Sequence, residues 1–474
     1  MKRFLLIEAQ KLWELDLPVH KTIIPLDLVQ PLGLAQIASI IRQRYADARI
    51  RILDLRLLKN DFSTLPGLIR DFEPEFIGFR TVSRDSIFMN DMVRMVRALM
   101  PSALLVGGGP HVTAMRGRVM EEAPFDFAVF GEGEITLLDL LYHLDEGGDM
   151  GEVKGLIYRD SEGRIRENAP QDTIDDLDSL PMPAWDLVDH EQYFKAMYYP
   201  LIPAYLNARR EVVSIFTSRG CPYKCTFCHN IFGKRFRARS PEKVVEEIEY
   251  LYTAFGCRQF DFRDDIFNLD KKRVHRICDL IIKRGLDIRM AFPNGIRGDI
   301  MDEELILKLK AAGMFRCTYA LETASPRLQK MTRKNIDLDK LRHIIRFTSA
   351  QGIIIRIFVM LGFPTETREE MRETLEYAFD PAIDFLILNT VNPFEGTEMA
   401  ESLRASGVNL DEFRDKYDYL EARMSVSEVS AQELQAIKDD AVNRFFSEER
   451  FAMMAEKLTR HIPARKVMAP SAQK

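Results

Sequence analysis

Three thiols stand within eight residues in the segment Arg219-Gly220-Cys221-Pro222-Tyr223-Lys224-Cys225-Thr226-Phe227-Cys228-His229-Asn230. At C-x3-C-x2-C spacing, three thiolates hold three irons of a [4Fe–4S] cluster and leave the fourth iron without a protein ligand. An open coordination position is how metal sites admit a substrate. The rival reading is a mononuclear zinc site. It wants a fourth ligand, and only the adjacent His229 offers one, with no second Cys/His pair at finger spacing. The remaining cysteines, Cys257, Cys278 and Cys317, fall in stretches that read as strand or helix and share no spacing, so they read as buried, inert thiols.

Gly220 and Pro222 stop a strand, so the thiols sit on the loop after it, at the catalytic end of any βα barrel. From Glu211 onward six strand candidates alternate with helices: Val212–Thr217, Gln259–Arg263, Ile288–Phe292, Phe315–Leu321, Ile353–Leu361 and Ile383–Thr390. The clearest helix has Ser240 as its N-cap, Pro241 at its first position, and an apolar face of Val244, Val245, Ile248 and Leu251. Six units are too few for a closed eightfold barrel and fit a partial one, over residues 211–397.

The first 145 residues also alternate. Strand candidates are Arg3–Ile7, Arg49–Leu55, Phe76–Phe79, Ala103–Gly107 and Phe127–Phe130, with helices at Leu32–Tyr45, Ser86–Met100 and Ile135–Leu144. This pattern predicts an α/β, Rossmann-like, mostly parallel sheet. Its ligand belongs on the loops after the strands, here Thr81-Val82-Ser83, Gly107-Gly108-Gly109-Pro110-His111 and Gly131-Glu132-Gly133-Glu134. Residues 146–210 read as a linker with one hairpin, and residues 398–474 as a small helical C-terminal region with a frayed end.

With 474 residues, 46% hydrophobic and 29% charged, the chain has the makings of a packed protein of two or three domains. Its 66 Lys+Arg against 72 Asp+Glu give a net charge of −6, which removes the electrostatic case for a dedicated nucleic-acid binder. The basic run Gly233 to Arg239 reads as a solvated turn or as one neutralising cofactor carboxylates. No run is apolar enough for a signal peptide or a membrane span, and six cysteines are too few for a disulfide scaffold, so the expected setting is the cytoplasm.

The cysteine loop at the head of a six-unit barrel resembles the radical S-adenosylmethionine (SAM) enzymes. The resemblance implies that the open iron binds the amino and carboxylate groups of SAM, whose reductive cleavage yields a 5′-deoxyadenosyl radical. It carries Phe227 over as the aromatic near the adenine, and Asp264-Asp265 as the carboxylates for the methionyl amine. Glu322 matches the position contacting ribose or methionine, and Gly362 the turn that lets backbone approach the adenine. The preceding sheet resembles the cobalamin-binding domain of the B12-dependent branch, on the strength of its glycine loops and of Pro31-Leu32-Gly33-Leu34-Ala35. Thr81, Ser83, Gly107, Gly108, Gly109, His111, Gly131, Glu132 and Gly133 are then the expected cobalamin contacts. No Asp-x-His-x-x-Gly is present, and neither His20 nor His111 has that context, so the resemblance implies a cobalamin without a histidine lower ligand.

The function implied is transfer of a methyl group from methylcobalamin to a carbon radical on a small-molecule substrate, with an electron donor such as flavodoxin or ferredoxin. The alternative keeps the cofactors but forms or contracts a ring, as in the anaerobic magnesium-protoporphyrin monomethyl ester cyclase. A non-catalytic cobalamin or redox sensor is disfavoured by the intact set Asp265, Glu322 and Gly362. A tRNA methylthiotransferase is disfavoured by the acidic balance and the lack of a second cluster motif.

Overall fold

The computed structural model describes residues 1–17, 22–26, 28–196, 208–229 and 231–460. His20, Asn230, residues 197–207 of the linker and residues 461–474 of the C-terminal region lie outside the described residues.

The N-terminal sheet has seven strands: β1 (Arg3–Glu8), β2 (Arg49–Asp54), β3 (Phe76–Arg80), β4 (Leu104–Gly108), β5 (Phe127–Val129), β6 (Leu156–Arg159) and β7 (Ile165–Glu167). Their spatial order is β2-β1-β3-β4-β5-β6-β7. The first five are parallel; β6 and β7 add antiparallel at the edge. Thus the hairpin expected within residues 146–210 extends the sheet.

Phe4 to Ile7 are all buried, the continuous apolar run that a parallel strand covered on both faces requires. Helices α1 (Leu32–Arg44) and α3 (Gly133–Glu146) cover one face, packing Leu34, Ala38, Ile41, Leu137 and Leu141 on Phe4, Leu6 and Phe76. Helix α2 (Ser86–Leu99) covers the other with Met89, Val93 and Val96. The order reverses between β1 and β3, and the crevice outside such a switch point is where these sheets bind ligands.

The second sheet has six parallel strands in chain order: β8 (Val212–Ile215), β9 (Gln259–Phe262), β10 (Arg289–Ile296), β11 (Met314–Glu322), β12 (Ile354–Leu361) and β13 (Phe385–Thr390). Strand β10 continues past the expected end at Phe292. A register shift there accommodates Pro293, which has no ladder N–H. Outward residues Val213, Ile215, Phe260, Cys317, Tyr319, Ile355 and Ile357 join the largest core beneath the helices, together with Cys257 and Cys278. Helix α4 (Pro241–Ala254) is capped by the Ser240 hydroxyl accepting from the Lys243 amide, and it buries Val244, Val245, Ile248 and Leu251. Each such side chain stabilises the fold by about 1.5–3 kcal/mol relative to exposure.

The two sheets meet at Gln30. Its side-chain amide donates to Val212 O (2.8 Å) and accepts from Ser214 N (3.0 Å), pairing with the edge of β8 as a strand would. C-terminal helix α5 (Ala431–Phe445) closes on the barrel rim, where Leu434 is buried in the main core.

Candidate active site

The cysteine loop is held from beneath. The Asp264 carboxylate accepts from Thr217 N (2.8 Å), Thr217 Oγ1 (3.0 Å) and Ser218 Oγ (2.7 Å), fixing the chain as it leaves β8. Gly220 has φ of 79°, and a Cβ there would stand 2.3 Å from Arg235 O, so only glycine makes the turn. Its amide donates to Asp265 Oδ2 at 3.2 Å. Thr226 N donates to Thr332 O (3.0 Å) and Thr226 O accepts from Met399 N (2.9 Å), pinning the loop between thiols. Cys221 and Cys225 are partly exposed, Cys228 is exposed, and none is in a disulfide. Bound positive charge favours the thiolate form of all three. Among the described residues no three such side chains converge on a point that suits one ion. Thiolates bound to three separate irons have no need of such convergence.

Around this loop the expected SAM residues divide. Asp265 is exposed and lines the main cavity, whereas Asp264 is 2% exposed and fully engaged as the loop brace. The expectation that both carboxylates face the ligand is therefore corrected: adjacent residues leaving a strand point to opposite sides. Glu322 ends β11 with φ of 66°, and its carboxylate is paired with Lys334 at 3.2 Å. Lys334 escaped the sequence reading. Burial opposes its charge, but Glu322 and the thiols of Cys225 and Cys228 raise its pKa and hold it as the ammonium. The Phe227 ring packs edge-on to Phe363 at 5.6 Å. Gly362 has φ of 98° and lies under Leu434, whose Cδ2 would be 2.9 Å from a Cβ; its amide is already taken by Glu366 Oε2 at 2.6 Å.

Above the loop lies a cavity of about 880 Å³ walled by both sheets. Gly107, Gly108, Gly109, Gly131, Glu132 and Gly133 form its wall on the N-terminal side, with Gly33 at the start of α1, and Ser218, Arg219 and Asp265 face them. A Cβ on Gly33 or Gly131 would meet nothing within 4 Å, so bare backbone there borders open space. Glu8, at the end of β1, and Arg80, at the end of β3, line the same cavity at the switch point. That floor suits a broad, flat ligand such as a corrin, and residues flanking the cysteine loop, Ser218, Arg219, Ile231 and Phe232, border it on the barrel side.

Three expected cobalamin contacts do not reach this space. Thr81 is fully buried, with Oγ1 donating to Ala9 O at 2.7 Å; His111 is 1% exposed, with Nδ1 3.3 Å from Ser83 Oγ. Their neighbours Val82, Arg84 and Pro110 line the cavity instead. Glu132 borders the cavity, but its carboxylate is held by Arg237, by Arg219 and by the Ile174 amide, so it joins the sheets rather than waiting for a ligand. Arg219 also binds Glu134. Arg237 thus gives the basic run a structural task, which its appearance as a surface turn concealed.

The family model described as the radical SAM superfamily matches residues 215–378, and that of the B12 binding domain matches residues 26–141. The uncharacterized methyltransferase PH0819 of Pyrococcus horikoshii is 29% identical over 88% of this chain and 87% of its own length. The anaerobic magnesium-protoporphyrin IX monomethyl ester cyclase of Rubrivivax gelatinosus is 26% identical over 81% of this chain and 68% of its own. The structure of the radical S-adenosylmethionine methyltransferase TsrM from Kitasatospora setae, with cobalamin and [4Fe–4S] cluster bound, has the same fold. It matches with a TM-score of 0.69 at 21% identity, over 86% of this chain and 78% of that one. A B12-binding sheet and a cysteine-bearing radical SAM barrel sharing one cavity make this chain a member of the cobalamin-dependent radical SAM enzymes.

Proposed function

We propose that the protein is a radical C-methyltransferase acting on a small molecule. The observation that carries this reading is the single cavity walled by the glycine loops of the B12-binding sheet and by the cysteine-loop side of the barrel. Transfer between two cofactors and one substrate needs all three in a common space. Methyl transfer is favoured over ring formation by the end-to-end match to the methyltransferase relative, 87% of its length against 68% of the cyclase.

When bound, the cluster, SAM and cobalamin supply hydrogen abstraction and a transferable methyl group. The chain's own residues position them. Cys221, Cys225 and Cys228 would hold three irons of the cluster, and Asp265 would pair with the methionyl ammonium. Phe227 packs beside the adenine pocket, and Lys334 holds Glu322 in place. Gly33, Gly107, Gly108, Gly109, Gly131 and Gly133 would let the cobalamin approach bare backbone, and the Glu132–Arg237 pair holds that wall to the barrel. The reductant is a small electron carrier such as flavodoxin or ferredoxin. Among the described residues no helix is long and apolar enough to cross a membrane.

The test is anaerobic turnover of the reconstituted enzyme with SAM, a low-potential reductant and candidate substrates. Equal amounts of 5′-deoxyadenosine and S-adenosylhomocysteine, with a methylated product, support methyl transfer. Deoxyadenosine without S-adenosylhomocysteine supports the cyclase reading instead.

A further inference from the structure

The segment that follows the cysteine loop doubles back along it. Ser218 pairs with Ala238 and Arg219 with Arg237 in a short antiparallel ladder. The contact continues to the first thiol. Cys221 N donates to Gly233 O at 3.4 Å, and the turn at Gly220 packs on the carbonyls of Phe232 and Arg235. Lys234 stands between these contacts and is half-buried. Its charge is felt at the loop: burial pushes the Cys221 thiol up, Asp265 and Cys225 add to that, and Lys234 is the cation that pulls it back.

What sets Lys234 apart is the lack of a counter-ion. In its own basic run Arg235 pairs with Asp175, Arg237 with Glu132 and Arg239 with Glu247. In the segment that holds the loop at Thr226, Arg333 pairs with Glu398 and Lys334 with Glu322. Lys224, within the loop itself, is exposed, where solvent and salt screen it. Among the described residues Lys234 has neither an ion pair nor a side-chain hydrogen bond. A half-buried ammonium without a partner loses hydration and gains no pairing energy from the fold. The negative charge that would match it belongs to the three thiolates and to the electron the cluster accepts.

The potential of an iron–sulfur cluster follows its net charge, the hydrogen bonds to its sulfurs and its exposure. Reduction adds one electron from the donor and no proton, so the reduced cluster is one unit more negative than the oxidised one. A cation nearby therefore stabilises the reduced form more. We infer that Lys234 raises the reduction potential of the cluster held by Cys221, Cys225 and Cys228, which eases electron transfer from a small low-potential carrier. Lys234 acts through the cluster, as a positioning residue for its charge. The inference rests on the radical SAM reading of the cysteine loop.

The test uses the full chain reconstituted anaerobically with iron, sulfide and hydroxocobalamin. It is titrated reductively in the absence of SAM, and the reduced cluster is followed by electron paramagnetic resonance. Lys234→Gln lowers the equilibrium constant for reduction by roughly tenfold, a midpoint about 59 mV more negative, while iron content and the urea midpoint hold. Lys234→Arg keeps the charge and the wild-type potential, and Lys234→Glu moves the potential further than Lys234→Gln in the same direction. The inference is overturned if Lys234→Gln titrates like the wild type, or if Lys234→Arg falls with it. An unchanged potential with weaker SAM binding also overturns it, and would place Lys234 on the methionyl carboxylate instead. Loss of iron from both Lys234→Gln and Lys234→Met would overturn it too, assigning Lys234 to holding the loop. Wild-type chain that assembles no [4Fe–4S] cluster would overturn the underlying reading, an outcome distinct from the others.

Discussion

The Arg237 guanidinium grips both oxygens of Glu132, with Nη1 3.0 Å from Oε2, and the two side chains are 2% and 4% exposed. Glu132 belongs to the loop after β5 of the B12-binding sheet, and Arg237 to the segment that follows the cysteine loop. One buried ion pair therefore joins the glycine-loop wall of the cavity to the segment that follows the cysteine loop. Removing Arg237 leaves the buried Glu132 carboxylate with Arg219 as its one described cation, which costs up to about 3–5 kcal/mol. Arg237→Met should lower stability in urea unfolding by that order, and Glu132→Gln combined with Arg237→Met should recover part of it. An additive double variant would show that the two residues act independently.

Of the two adjacent carboxylates after β9, one braces the cysteine loop and the other lines the cavity. Asp264→Asn exchanges an acceptor of three hydrogen bonds for a group with half that acceptor capacity, so it should fold poorly, at about 1–3 kcal/mol for each donor left unmatched. Asp265→Asn should keep its fold and iron content yet bind SAM roughly tenfold more weakly. Equal effects of both on SAM affinity, with unchanged stability, would contradict the division.

The Cys225 side chain is one of three on a loop whose backbone is anchored elsewhere, at Asp264, Thr332 and Met399. Cys225→Ala should therefore leave secondary structure intact by circular dichroism while iron content and the visible absorbance of the reconstituted protein collapse. Unchanged iron would contradict the cluster assignment.

Glu366 supplies a pH signature. Its Oε2 accepts from the amides of Gly362 and Phe363, and burial raises its pKa to about 8. A carboxyl raised in the folded state stays protonated there while the unfolded chain ionises near the ordinary value of about 4.3. The unfolded state then binds fewer protons, so stability falls as pH rises from that value to about 8, and levels off above it. Glu366→Gln keeps an acceptor without the charge. Its stability relative to wild type should rise between pH 5 and about 8, read from urea midpoints; a pH-independent difference would contradict the assignment.

Much of this was legible in the residues because local chemistry decided it. Gly220 and Pro222 had to end a strand, and Ser240-Pro241 had to begin a helix. Buried parallel strands such as Phe4–Ile7 announce themselves as unbroken apolar runs. Strand β10 runs beyond the expected Phe292 because a shift in ladder register, invisible in one chain, carries the strand through Pro293-Asn294-Gly295. In the site, the loops were legible and the side-chain directions were not. Thr81, Ser83 and His111 fall on the expected loops, yet Val82, Arg84 and Pro110 meet the cavity. One residue of offset reverses a side chain's direction along extended backbone. Arg237 and Lys334 went unseen because their partners, Glu132 and Glu322, are 105 and 12 residues away.

The central claim is that this chain moves a methyl group through cobalamin, and its most direct test needs no substrate. Enzyme reconstituted with iron, sulfide and hydroxocobalamin is given SAM and a low-potential reductant under anaerobic conditions, and S-adenosylhomocysteine and the cobalamin spectrum are followed together. The account predicts one S-adenosylhomocysteine for each bound cobalamin, with the spectrum changing to that of methylcobalamin. SAM cleaved to deoxyadenosine, with no S-adenosylhomocysteine and an unmethylated cobalamin, would contradict it.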